Sequence, residues 1–253
     1  MSKKDKKQTK VTTPVFVPDD SIKTALVVTA HPDDVDYGAA GTVAVLTAAG
    51  VSVSYCLVTS GDAGGDEDTR PRDERSADRE REQTAAAEQV GVRDLHFLRI
   101  PDGTVEPTLA LRQAITRVIR VTKPDLVICQ NPERNWDRIG ASHPDHLAAG
   151  EATVRALYPD AGNPHAHPQL LDEGHLPHKV AELWLMSTAS PNVIVDITDT
   201  LSAKLAALRC HASQIADFAQ TEEWVRSWTT GVAKANGLGK KKAAEGFRRV
   251  KLR

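Results

Sequence analysis

The feature that most constrains this chain is a set of short apolar runs, each followed by a stretch of helical composition. TALVVTA (24–30) and DLVICQ (125–130) read as strands buried on both faces, and VSVSYCLVTS (51–60) and LHFLRI (95–100) as further strands. Between them, residues 37–49, 70–90 and 109–121 have helical composition, closed by Gly50, Gly91 and Lys123-Pro124 respectively. Residues 144–157 predict another helix, AELWLMS (181–187) and NVIVDIT (192–198) two later strands, and residues 201–219 one long helix. This alternation predicts an α/β fold with a mainly parallel sheet between helical layers. Right-handed crossovers then place the C-terminal strand ends on one edge, where such sheets carry their sites.

Composition bounds the function classes. The 253 residues suffice for a sizeable core, and 40% hydrophobic with 26% charged residues is the profile of a soluble globular protein. A net charge of −2 argues against nucleic acid or a membrane surface as partner of the whole molecule. Aromatic residues are only 4%, so aliphatic side chains and alanine must fill the core. Cys56, Cys129 and Cys210 are far apart and read as small hydrophobes in a reducing compartment. No apolar run is long enough to span a bilayer, and MSKKDKKQTK lacks the apolar centre of a signal peptide; the expected location is cytoplasmic. Residues 1–20 are expected to form a flexible basic tail. The C-terminal stretch with KKK and FRRVKLR reads as a loosely packed, solvated basic end. The sequence has neither an internal repeat nor a GxGxxG or GxxxxGKS phosphate loop.

The polar clusters fall at the predicted strand ends. HPDD (31–34) follows the first strand, Ser60-Gly61-Asp62 the second and Pro101-Asp102-Gly103 the third, and the segment after the fourth leads into HPDH (143–146). His31 and Asp34, three residues apart in a turn entering a helix, can converge on one point, and imidazole with carboxylate is a good zinc donor set. Asp33 between them would lie beside a metal rather than on it, where a general base belongs. His143 and His146 share a helix face; either could complete the metal site, and the other could serve a proton or a developing oxyanion. Asp145 could set a histidine tautomer. Taken singly, each motif reads equally well as a helix cap, since Asp caps helices well. Both together at two strand ends favour a metal.

HPDD, GT (41–42), TSGDAGG (59–65), Arg79-x-x-Glu82 followed by AAA and Gly91-Val92, LRIPDG (98–103), PDLVICQ, HPDH and LRCHASQ (208–214) together resemble the PIG-L/LmbE-like deacetylases, over roughly residues 24–220. The resemblance implies a Rossmann-like three-layer α/β/α sandwich as one domain over residues 21–253. It also implies zinc-dependent hydrolysis of an N-acyl group from an amino sugar or related amide. By motif, His31, Asp34 and His146 would hold one Zn²⁺ per chain, and Asp33 would be the general base. His143 would stabilise the oxyanion or protonate the amine, and Asp145 would orient a histidine. Arg79 and Asp102 would contact substrate hydroxyls. The family usually continues HPDD with Glu; here Val35 and then Asp36 follow.

The expected partner is a small N-acetylated sugar or amide conjugate, with no nucleic acid and no membrane span; homo-oligomerisation stays open. Two other functions remain beside the deacetylase: an amidase acting on a thiol conjugate, and a non-catalytic metal- or sugar-binding member of the fold. A phosphoesterase would call for more carboxylate ligands than the motifs supply. His165, His167, His175 and His178 lie in a Pro- and Gly-broken segment and are expected to be exposed or to form a lid. His211 and Gln214 are expected to pack, and Trp136 either to stack on a sugar or to pack.

Overall fold

The computed structural model describes residues 13–65 and 69–252. Eight strands form one sheet: β1 (Val15–Phe16), β2 (Thr24–Thr29), β3 (Ser52–Thr59), β4 (Asp94–Ile100), β5 (Leu126–Gln130), β6 (Glu182–Met186), β7 (Val193–Asp196) and β8 (Ala244–Lys251). Their order is β1-β7-β8-β6-β5-β2-β3-β4. Every pairing is parallel except those of β8, which lies antiparallel between β6 and β7.

Alternation along β2 shows why the sheet is covered on both faces. Ala25 and Val27 pack with Val43 and Leu46 of α2 (Ala40–Ala48), Ala86 and Ala87 of α3 (Arg72–Gln89) and Ala207 of α7 (Leu201–Arg209). Leu26 and Val28 pack with Leu111, Ile115 and Ile119 of α4 (Leu109–Thr122) and Ala148, Ala149 and Ala152 of α5 (Pro144–Arg155). The small residues of α5 let it approach closely: a Cβ on Gly150 would meet the Gln130 carbonyl oxygen at 2.4 Å. Two short helices, α1 (Asp34–Gly38) and α6 (Gln169–Asp172), and the amphipathic α8 (Phe218–Ala235) complete the fold. Among the described residues no helix is long and apolar enough to cross a membrane.

The structure corrects several sequence expectations. The helix expected over 37–49 is two helices, broken at Ala39 (φ −148°, ψ −1°). The long helix expected over 201–219 ends at Arg209, and α8 begins separately at Phe218 with Asp217 as its cap, whose side chain accepts from Gln220 N at 3.0 Å. The basic C-terminal end is not loose: β8 buries Ala244 and Phe247, sets Phe247 5.4 Å from the Trp184 ring and pairs Arg249 with Glu182. Of the tail expected over 1–20, residues 1–12 lie outside the described residues, whereas Val15 and Phe16 pair with Ile194 and Val195. His167 is not exposed; it is buried with its Nε2 3.1 Å from Asp160.

Burying β8 brings a carboxylate inside. Glu245 and Lys204 are both fully buried, 2.7 Å apart. Glu245 also accepts from Gly41 N at 3.2 Å and from Thr42 N at 2.8 Å, so a distant strand caps α2. Lys204 Nζ donates to the Asp36 and Tyr37 carbonyls at 2.8 and 2.7 Å. Breaking a buried pair strands the remaining charge, so Glu245→Ala should cost about 3–5 kcal/mol of stability. Urea unfolding checks this; a loss below about 1 kcal/mol, the size of a surface pair, would contradict it.

Candidate active site

The strand ends meet as the alternation requires. After Thr29 the chain turns at Pro32, and Asp33 takes a left-handed conformation (φ 84°) before α1 begins. Non-glycine residues adopt that region at an energetic cost, so neighbours must hold it. Asp33 N donates to Gln83 Oε1 at 2.8 Å, and Arg79 Nη2 donates to the Pro32 carbonyl at 2.8 Å and to Asp33 Oδ2 at 3.2 Å. Arg79 Nη1 donates to the Gly61 carbonyl at 2.9 Å. A Cβ on Gly61 or Gly64 would lie 2.2 or 2.5 Å from the Arg79 guanidinium, so both glycines make room for it. Arg79, expected to contact substrate, is instead buried beneath Asp33.

His31, Asp34 and His146 converge. His31 Nδ1 is 3.3 Å from Asp34 Oδ2 and 3.2 Å from His146 Nε2, and His146 Nε2 is 3.0 Å from Asp34 Oδ1. Donors bound to one zinc at about 2.0–2.2 Å in a tetrahedron lie roughly 3.3 Å apart. Two imidazoles and a carboxylate at this spacing fit zinc, with one position left over. His31 Nε2 faces away from this point, 3.0 Å from Asp102 Oδ1 and 3.3 Å from Asp145 Oδ2. Those carboxylates are themselves held, Asp145 by Gly103 N at 2.7 Å and Asp102 by Ala63 N at 3.1 Å. A carboxylate behind a ligating histidine fixes its tautomer and raises its basicity.

His143 lies at the entrance to α5, its ring 5.1 Å from that of His31 and 5.4 Å from that of His146. Its Nδ1 accepts from Asp145 N at 3.2 Å as the helix cap. A neutral imidazole accepting at Nδ1 carries its proton on Nε2. The cap reading of HPDH therefore holds, and it leaves His143 Nε2 free for other contacts.

Electrostatics separate the carboxyl groups. Burial, together with the neighbouring Asp34 charge, pushes Asp33 up to about 6, against Arg79, His211 and His31. Burial also works against ionised Asp34, yet His146 and His31 hold it well below the usual range. For His31, burial opposes the charge, but Asp102, Asp145 and Asp34 outweigh it and raise it to about 12. Burial lowers His143, helped by His31 and His146.

Comparisons with known proteins place the chain in a family. Residues 26–157, just over half of the chain, match the family model PIG-L, described as GlcNAc-PI de-N-acetylase. The chain belongs to the PIG-L family. The diacetylchitobiose deacetylase of Thermococcus kodakarensis is 34% identical over 78% of this chain and 72% of its own length. A probable N-acetyl-α-D-glucosaminyl L-malate deacetylase 2 of Bacillus anthracis is 32% identical over 82% of this chain and 87% of its own. The solved N,N′-diacetylchitobiose deacetylase of Pyrococcus horikoshii, complexed with its inhibitor MPG, superposes with a TM-score of 0.83 at 30% identity, covering 91% of this chain and 84% of that one.

In this PIG-L chain, sequence reasoning missed Gln83 beneath the donors and the aromatic residues beside them, whereas His211 is packed as expected. Gln83 joins Asp33 to Asp36, donating to Asp36 Oδ2 at 2.9 Å, and His211 Nε2 lies 2.8 Å from the same oxygen. Gln83 lies one helical turn after Arg79, a spacing that could have suggested a shared role. Trp136 is 80% exposed, with the Arg134 guanidinium over its ring. The aromatic residues that do line the cleft beside the donors are Tyr37, Trp224 and Trp228, and the W-x-x-x-W spacing was their only signal.

Asp102, Asp145 and Asp34 favour a proton on His31 against its burial, and a metal bound at that ring would displace it. Loading chelator-treated protein with Zn²⁺ should release protons, and affinity should rise roughly tenfold per pH unit for each proton displaced. Calorimetry in buffers of different ionisation enthalpy between about pH 6 and about pH 8 checks this. Affinity that does not change with pH over that range would contradict proton displacement from His31.

Proposed function

We propose that this chain hydrolyses the N-acyl group, most simply N-acetyl, of a small amino-sugar conjugate, using one zinc ion held by His31, Asp34 and His146. The observation that carries the reading is that His31, Asp34 and His146 present donor atoms 3.0–3.3 Å apart, with the His143 ring 5.1 Å from that of His31 and Asp33 directly preceding Asp34. The activities named for the relatives, deacetylation of diacetylchitobiose and of a glucosaminyl malate, support the bond type and the sugar.

An amide is a poor electrophile and neutral water a poor nucleophile. Zinc supplies a Lewis acid that polarises the acyl carbonyl and lowers the pKa of water toward about 7. The Asp33 carboxylate takes the proton of the attacking water. Held by Arg79 and by the Gln83 contact to its backbone, it cannot swing away. His143 Nε2–H donates to the carbonyl oxygen as charge develops there. As the C–N bond breaks, a proton passes to the amine, so one amide and one water become one amine and one carboxylate. Asp145 and Asp102 keep His31 oriented with Nδ1 toward the ligand point.

A positioned general base contributes about 10²–10⁴-fold in rate. Asp33→Ala should therefore lose that much kcat in free-amine release from N-acetylglucosaminides while metal analysis still finds one zinc per chain. His146→Ala should lose the zinc itself. Full activity in Asp33→Ala with zinc retained would overturn the assignment of the base.

A further inference from the structure

His31 can act as a ligand only while its ring is held with Nδ1 toward Asp34 and His146. The two carboxylates behind the ring, Asp102 and Asp145, both depend on one short turn. That turn follows β4: Thr104 N donates to the Pro101 carbonyl at 3.2 Å, and Gly103 between them is left-handed (φ 84°). Asp102 reaches from the turn to His31. The Gly103 and Val105 amides donate to the two oxygens of Asp145 at 2.7 and 3.3 Å. The orientation of His31 therefore depends on where this turn is fixed.

We propose that Asp62, clasped by Arg72, is a positioning residue of the metal site: it fixes the turn after β4 and, through Asp102, the ring of His31. The proposal rests on the zinc-dependent reading above and adds the anchor of its donor set.

The loop after β3 and the turn after β4 are joined reciprocally. Asp102 N donates to Asp62 Oδ1 at 2.8 Å, and Ala63 N donates to Asp102 Oδ2 at 3.1 Å. Each segment thus offers the other an amide and a carboxylate, the same exchange that closes a capping box. Arg72, at the start of α3, locks the pair. Its Nε donates to Asp62 Oδ2 at 2.5 Å and its Nη2 to the Asp102 carbonyl at 3.1 Å. A guanidinium is a rigid fork, so Asp62 and Asp102 cannot shift independently while it spans them. Asp102 is in this way held at its amide, its carbonyl and Oδ2, which leaves Oδ1 aimed at His31 Nε2, 3.0 Å away.

Two observations set this role apart from others. Each Asp62 oxygen already has a protein donor. The residue is also absent from the wall of the cleft that contains Asp34 and His146; it lines a separate cavity with Glu80 and Arg99. The Arg72 side chain is 52% exposed, so its ion pair with Asp62 adds little to global stability. What the pair supplies is alignment, and an orienting carboxylate that drifts loses the direction of its hydrogen bond to the ring.

Removing a group behind a metal ligand costs about 10–100-fold in metal affinity or activity, and Asp62 acts one step further back, so Asp62→Ala should weaken zinc affinity by about tenfold. Competition with a chromophoric chelator reads that affinity. The visible bands of the Co²⁺-loaded protein, which report donor geometry, should shift in the same variant. Asp62→Asn keeps an oxygen for the Asp102 amide and should recover most of the affinity. Arg72→Gln should weaken it by a smaller factor. The control Arg81→Gln removes an exposed cation of a surface pair on the same helix and should change nothing. Unchanged zinc affinity in both Asp62→Ala and Arg72→Gln would overturn the proposal. A raised KM for N-acetylglucosamine at wild-type zinc affinity, the mark of a substrate contact, would do the same. If Asp62→Ala does not fold, Arg72→Gln decides alone: weaker zinc binding upholds the proposal and unchanged binding overturns it. If no substrate is turned over, the deacetylase reading fails on its own, and the zinc affinities still decide the role of Asp62.

Discussion

A lysine ammonium with no exposed surface is what this architecture is arranged around. Lys204 of α7 would be untenable in an apolar core, because burying a charge is favourable only when it is paired and hydrogen-bonded. Here it meets Glu245 of β8 and the last carbonyls of α1, while the same carboxylate caps α2. Four elements from both halves of the chain are thus tied at one point. The helix that begins with the metal-donor candidate Asp34 is held from below by this knot. It is held from the side by Gln83 and His211 on Asp36. The left-handed Asp33 is one residue upstream, and its amide hydrogen goes to the same Gln83. Rigidity at the base therefore derives from buried polar groups bonded to one another.

The departure from the family's usual Glu after HPDD finds its place in the same arrangement. Val35 is turned into the core against the sheet, and Asp36 is directed away from the donors toward Gln83 and His211. Neither reaches the ligand point. Position 35 thus contributes packing, and the carboxylate one residue on is buried away from the donors.

The strands with near-continuous apolar sequence, β2, β3 and β5, were legible because full burial leaves no other pattern, and the polar residues at their ends were legible because such sheets put sites there. His31 and Asp34 converge as their spacing suggested, and His146, which spacing alone did not separate from His143, has its Nε2 3.0 Å from Asp34 Oδ1. Less was readable where two structures satisfy one pattern. No Gly or Pro separates α7 from α8, so their helical spacing runs together; the break shows only through His211 turning to Asp36. β8 carries arginines that suggest solvent, although it lies inside the sheet, since Arg248 points out and Arg249 finds Glu182. Arg79 was singled out as a side chain for substrate, whereas the glycines that make room for it, Gly61 and Gly64, were the sign that it lies beneath the site.

The position of β8 has a consequence for how the chain reaches this state. The last strand of the described sequence is the sole neighbour through which β7 and β1 join β6 and the four strands beyond it. During synthesis the parallel block and the helices over it can assemble while the ribosome is still working. The slot between β6 and β7 stays open, and Lys204 lacks its counter-charge, until residue 245 emerges. Two unpaired strand edges flank that slot in the interval, and such edges invite pairing with other chains. Joining β7 and β1 to β6 is therefore a long-range pairing that waits for β8, the kind of contact that forms slowly.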